Sequence, residues 1–215
     1  MNRLLKILFF GLIVKPLVLV GLGLNIRNRD GLPKDGPAVI AANHNSHLDA
    51  MVLMSIYPLS KIHKVRPVAA ADYFLANRFL AWLSLRVIGI VPIERTGIKD
   101  KEQQFAGCNE ALDCGDILIL FPEGTRGEPE KLGTIKKGMY HLVHNRSDTS
   151  IIPVAMCGPG RALPRGEALL VPFNCDIIVG DKLSLSGSPD EFVRRLTAVY
   201  EELFKQCLTR RKAPR

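Results

Sequence analysis

The chain has 215 residues and a mass of 23.8 kDa, enough for a single domain with a core of its own. With 47% hydrophobic and 23% charged residues it is not a disordered chain. Its five cysteines, odd in number and without a CxxC pair, suggest neither a disulfide framework nor a zinc site and fit a reducing compartment. The net charge of +8 sits at the ends: residues 1–36 carry six Lys/Arg against two Asp, residues 194–215 carry seven against two Glu, and the middle is close to neutral. No nucleic-acid recognition motif accompanies the basic ends, so nucleic acid is not expected as a partner. An anionic membrane surface suits them better, because one of them is also the greasiest stretch of the sequence.

That stretch runs from Leu4 to Leu24, interrupted by Lys6, Lys15 and Pro16. It is borderline in length for crossing ~30 Å of hydrocarbon, and Pro16 removes a helix donor near its middle. The pattern predicts an N-terminal hydrophobic anchoring helix or helix pair, kinked at Pro16 and lying in one leaflet with Lys15 reaching the headgroups. A straight span and a cleaved leader are the competing readings, the latter weakened by the lack of an A-x-A-like site. Residues 1–36 are read as this membrane-associated segment and 37–215 as the domain that follows it.

Strand-like and helix-like segments then alternate. Residues 37–43 predict a buried strand and 47–57 a helix that stops before Pro58. A second strand falls at 65–71, an apolar helix with the sole Trp at 74–88, and a short extended piece at 89–95. A polar helix over 97–114, closed by Gly115, precedes the clearest buried strand, 116–121. A helix over 134–145, strands at 150–156 and 173–180, and a C-terminal helix opened by Ser188-Pro189-Asp190-Glu191 complete the chain. The alternation implies an α/β fold: a mixed, largely parallel sheet flanked by helices.

Two strand ends carry the chemistry. Strand 37–43 runs into Asn43-His44-Asn45-Ser46-His47-Leu48-Asp49, which puts His44 where α/β sheets place reactive groups. Asp49 has two readings here: partner of His44, or cap of the following helix, since Ser46-x-x-Asp49 matches a capping box. A metal site on His44, His47 and Asp49 lacks its remaining ligands, and no metal is predicted. His141 and His144, one helical turn apart, share a helix face. The second strand end is Phe121-Pro122-Glu123-Gly124-Thr125-Arg126-Gly127, a glycine-containing turn with an Arg whose planar fork suits phosphate. No G-x-S-x-G elbow, P-loop or dinucleotide fingerprint is present.

These motifs resemble, in order and over residues 43–154, those of the 1-acylglycerol-3-phosphate acyltransferases. The family's NHx4D is matched at His44 and Asp49, and its G-x-x-F-I-x-R at Gly89 to Arg95, with Pro92 in place of Phe. FPEGTRS is matched at Phe121 to Arg126, with Gly127 in place of Ser, and V/I-P-V at Ile152 to Val154. The resemblance implies transfer of a fatty acyl group from acyl-CoA or acyl carrier protein to the sn-2 hydroxyl of a lysophospholipid, 1-acyl-glycerol-3-phosphate, with no cofactor. It further implies work at the cytoplasmic face of a membrane, the inner membrane if the source is bacterial. It implies a catalytic pair, His44 and Asp49, and a glycerol-phosphate site at Arg95, Glu123, Gly124, Thr125 and Arg126. Lys136 and Lys137 are candidate additional phosphate contacts, with a solvated helix face as their alternative. The same constellation would suit another lysolipid, including a lyso-aminolipid, and a non-catalytic lipid binder is the reading from a different class. A lipid esterase is disfavoured because no activated Ser or Cys nucleophile is seen.

Overall fold

A computed structural model describes residues 2–74, 77–94, 101–128, 131–159 and 173–209. Seven strands form one twisted layer: β1 (Leu22–Arg27), β2 (Ala38–Ala42), β3 (Val65–Ala70), β4 (Val91–Ile93), β5 (Ile117–Leu120), β6 (Ser150–Cys157) and β7 (Phe173–Val179). Their spatial order is β1-β7-β6-β2-β5-β3-β4, and every pairing is parallel except β6 with β7. The α/β fold with a mixed, largely parallel sheet is thus as the sequence predicts.

Side-chain alternation along the strands builds two cores. From β2, Ala38, Ile40 and Ala42 enter one, whereas Val39 and Ala41 enter the other. The strand is buried on both faces, which is why its sequence is a continuous apolar run rather than an alternating one. Over the first face lie α1 (Arg3–Gly21), α2 (Asp49–Ile56) and α3 (Arg78–Trp82, continued as π-helical turns through Leu83–Ile88). Over the second lie α4 (Lys101–Asp113), α5 (Gly138–Val143) and α6 (Pro189–Lys205). Gly115, at φ +69°, closes α4 as the sequence predicts, since a left-handed residue after a helix is nearly strain-free only for Gly.

The apolar N-terminal run is one helix, the first of the two forms expected, with a π-helical turn at Phe10–Val14 just ahead of Pro16, which has no N–H to give the helix. Three elements depart from expectation. The N-terminal helix ends at Gly21, and Leu22–Leu24 begin β1, which pairs with β7 at the sheet edge, so the apolar run serves both helix and strand. The helix expected at 134–145 is shorter, because Lys136 N–H donates to Pro122 O (2.9 Å) and holds the preceding stretch over the loop after β5. The last helix stops at Lys205. Thr209 beyond it donates N–H (2.6 Å) and O–H (2.8 Å) to the buried Asp176 carboxylate, which fastens the chain back to β7. Its start is as predicted, a capping box in which Ser188 Oγ accepts from Glu191 N–H and Glu191 Oε2 accepts from Ser188 N–H.

Candidate active site

Strands β2, β3, β4 and β5 run parallel, so the residues that follow them emerge at one edge of the sheet. The turn after β2 is held from both sides. Asn43, fully buried, donates from Nδ2 to Met156 O (2.9 Å) and accepts Met156 N–H at Oδ1 (2.6 Å), so its amide continues the ladder to β6 after the backbone has left it. His44 N–H donates to Glu123 Oε1 (2.8 Å), and His44 O accepts Gly127 N–H (2.9 Å), which ties this turn to the one after β5.

His44 Nδ1 lies 2.9 Å from Asp49 Oδ2, and the imidazole stacks on Phe121 with centroids 4.0 Å apart and planes inclined by 18°. The same Asp49 oxygen accepts Asn45 N–H (2.7 Å) and Ser46 N–H (2.8 Å). The two readings of Asp49 are therefore both true. It is the first residue of α2 and satisfies backbone donors there, and it also orients the imidazole. The capping box is altered, since Ser46 Oγ accepts from Leu48 N–H rather than from Asp49. With Asp49 only 1% exposed and His44 21% exposed, the carboxylate is shielded while the ring meets solvent. Asp49 selects the tautomer with hydrogen on Nδ1, leaving Nε2 as the proton-accepting atom.

Glu123 is buried, and both of its oxygens meet backbone donors: Oε1 takes His44 N–H and Oε2 takes Gly133 N–H (2.8 Å). Burial raises its pKa above the usual carboxylate range, and these two hydrogen bonds pull it back down. Glu123 thus ties the turn after β2 to two points of the connection that follows β5. Tyr200 of α6 is fully buried nearby, its phenol raised well above the ordinary value by burial and then by the Glu123 charge.

The outer part of the turn is more open. Gly124 has φ +71°, and Lys136 lies against it: a Cβ placed on Gly124 would meet Lys136 Nζ at 3.1 Å. Thr125 is exposed, and Arg126 Nη1 hydrogen-bonds His47 Nε2. Lys137 points elsewhere and pairs with Asp190 at the start of α6 (2.7 Å). The structure therefore brings His44, Asp49, Glu123, Gly124, Thr125, Arg126 and Lys136 to one edge and engages Lys137 with α6. Arg95 lies outside the described residues. The supports that sequence reading overlooked are Asn43, Phe121 as a ring platform, and Gly133. Asn43 had a signal, being a polar residue directly after an apolar strand, but Gly133 had none.

An imidazole oriented by a carboxylate, beside a turn that carries Arg126 and Lys136, is an arrangement able to accept a proton next to an anion. Comparison with known proteins narrows this. The family model described as Acyltransferase matches residues 23–157. The chain is 31% identical over 158 residues to the chloroplastic 1-acyl-sn-glycerol-3-phosphate acyltransferase LPAT1 of Arabidopsis thaliana, covering 73% of this chain and 42% of that protein. It is 27% identical over 176 residues to the alpha 1-acyl-sn-glycerol-3-phosphate acyltransferase of Mus musculus, covering 80% of this chain and 59% of that one. In fold it is similar to the crystal structure of the LPA acyltransferase PlsC from Thermotoga maritima, with a TM-score of 0.73 at 18% identity over 95% of this chain and 80% of that one. The chain belongs to the Acyltransferase family. It spans about half the length of the curated relatives it matches.

Proposed function

We propose that this chain moves a fatty acyl group from a thioester, acyl-CoA or acyl carrier protein, to the sn-2 hydroxyl of 1-acyl-glycerol-3-phosphate, giving phosphatidic acid. The observation that carries the reading is the His44–Asp49 pair at 2.9 Å, set beside the Arg126 turn in a chain of this family. Nε2 of His44 takes the proton of the lysolipid hydroxyl as its oxygen attacks the thioester carbonyl. Asp49 stabilises the imidazolium. Collapse of the tetrahedral intermediate forms the ester, breaks the C–S bond and returns the proton to the departing thiolate. The substrate hydroxyl thus stands where a serine protease has its own nucleophile. Arg126 and Lys136 supply positive charge for the lysolipid phosphate, and Glu123 acts by holding the loops that carry them.

The same reading places the protein on a membrane, with α1 as the contact. Phe10, Val14 and Val18, four residues apart, pack into the first core, while Leu8, Leu12, Leu17 and Val20 stay exposed. A helix packed along its length on the sheet lies parallel to a bilayer surface with its free side in the leaflet. The cytoplasmic face is supported by five free cysteines. The purified chain, given a panel of lysolipids with each donor, should form phosphatidic acid from 1-acyl-glycerol-3-phosphate as the main product by mass spectrometry. Preference for a different lysolipid would overturn the acceptor assignment, and no acyl transfer from either donor would overturn the reaction.

A further inference from the structure

The free side of α1 is not the only apolar surface on this face of the sheet. β3 ends at Ala70, on the edge that carries His44, and a short helical turn, Ala71–Phe74, leads off from it; α3 then starts at Arg78, and its first turns expose Phe79 (69%) and Trp82 (48%), with ring centroids 6.3 Å apart. Helix α1 reaches the same edge from the other side. Its last turn exposes Leu19 and Val20 (88%) before Leu22 pairs with Phe173 at the start of β7, which runs antiparallel to β6. The two helices meet at their other ends, where Asn2 N–H donates to Arg86 O (2.8 Å). They diverge from there, with α2 on the same face and β2, the strand that leads to His44, near the middle of the sheet.

We propose that Phe79 and Trp82 are a second bilayer contact, which with the tip of α1 sets the His44 edge against an anionic phospholipid surface. Charge supports that occupant over another protein. No acidic residue lies between Asn2 and Arg29 or between Asn77 and Ile93, whereas Arg3, Lys15, Arg78 and Arg86 do; Asp30, Asp72 and Glu94 fall just outside. An indole beside basic residues is the chemistry of the membrane–water interface, where the ring is buried and its N–H stays near the headgroups. The contact rests on the membrane reading above and extends it: a lysolipid held in the leaflet meets His44 between two apolar rims, without its acyl chain crossing water.

Trp82 is the single tryptophan of the chain, so its emission reports this contact directly. Full-length protein should be mixed with vesicles of phosphatidylglycerol and phosphatidylcholine, with and without brominated acyl chains. Co-sedimenting protein should show blue-shifted Trp82 emission that the brominated lipids quench. Phe79→Ser, at an exposed position, should keep its fold by circular dichroism and lose about tenfold or more in vesicle affinity, the loss expected for one buried aromatic. Co-sedimentation with unshifted, unquenched emission would overturn this contact and leave α1 as the sole anchor. No co-sedimentation at all would overturn the membrane reading with it. A blue shift that grows with protein concentration in the absence of vesicles would show that a second copy covers the pair, and would also overturn the proposal. None of these readouts needs turnover, so they stand apart from the assignment of the reaction.

Discussion

The turns after β2 and β5 meet at one edge but are built differently. In the first, nearly every polar group is committed to the protein itself: Asn43 to β6, the His44 backbone to the second turn, and Asp49 to the imidazole and two backbone N–H groups. In the second, Glu123 is the one buried polar side chain among the described residues; Thr125 and Lys136 reach solvent, and Arg126 meets His47, itself exposed. The difference separates two tasks. For the proposed reaction a base has to sit within hydrogen-bonding reach, ~2.6–3.2 Å, of the oxygen whose proton it takes, which a rigid turn secures. A phosphate is grasped by long cationic side chains that adjust to it.

The sharpest way to break this division is to remove the base. His44→Ala should lower turnover about 10²–10⁴-fold, the range general-base catalysis supplies, with the melting temperature little changed because the ring is partly exposed. Asp49→Asn should also be severe. Stopped-assay rates alongside thermal melts check both, and a variant that loses only stability would return Asp49 to a mere helix cap.

Glu123 tests the division from the other side, because it belongs by sequence to the second turn and by contact to the first. Glu123→Gln keeps an acceptor for one backbone donor and replaces the other acceptor with an NH₂ that opposes Gly133 N–H or His44 N–H. The loss of a buried, charged hydrogen bond is on the order of 1.5–3 kcal/mol. Turnover should therefore fall roughly 10–100-fold with the KM for lysolipid and donor changed alike. A rise confined to the lysolipid KM would make Glu123 a direct substrate ligand instead.

Arg126→Ala should do what Glu123→Gln does not: raise the KM for lysolipid about tenfold, as for one exposed charged contact, while the KM for the thioester holds. Arg126→Lys should recover only part of it, since an ammonium lacks the planar fork. Equal damage to both substrates would assign Arg126 to folding through His47.

Most of this architecture was legible because the strands at 37–43, 116–121 and 150–156 are buried on both faces and read as unbroken apolar runs. The capping box at Ser188 and the glycine at 115 were legible for local reasons. β1 was not, because Leu22–Leu24 continue the apolar helix without a break and only pairing with β7 makes them a strand. At the site, His44 and Asp49 were visible as a spacing. The two backbone hydrogen bonds of Glu123 were not, since one donor is 79 residues away and the other ten, and neither leaves a local pattern. The same holds for the N-terminal segment. Removing residues 1–26 looks in the sequence like removing an anchor, but in the structure it also strips one core face and most of β1, so Leu12→Glu or Leu17→Glu on the exposed side is the cleaner test of attachment.

Lys136 and Lys137 give the smallest and most discriminating test, because they are neighbours of one residue type and nothing in the sequence separates them. The structure lays Lys136 against Gly124, inside the second turn, and sends Lys137 to Asp190 on α6. The Lys137–Asp190 pair is solvent-exposed on both sides, and such pairs contribute about 0–1 kcal/mol. Lys137→Ala should thus leave the KM for lysolipid unchanged and lower stability by less than about 1 kcal/mol. Lys136→Ala should raise that KM by a few-fold, and the rise should shrink at high salt, where an exposed cation is screened from a phosphate within about 8 Å or less. Parallel titrations of lysolipid against both variants at low and high salt decide it. If both variants raise KM equally, the phosphate draws on the general positive field of this edge, and the contrast between a committed turn and a cationic one loses its residue-level meaning.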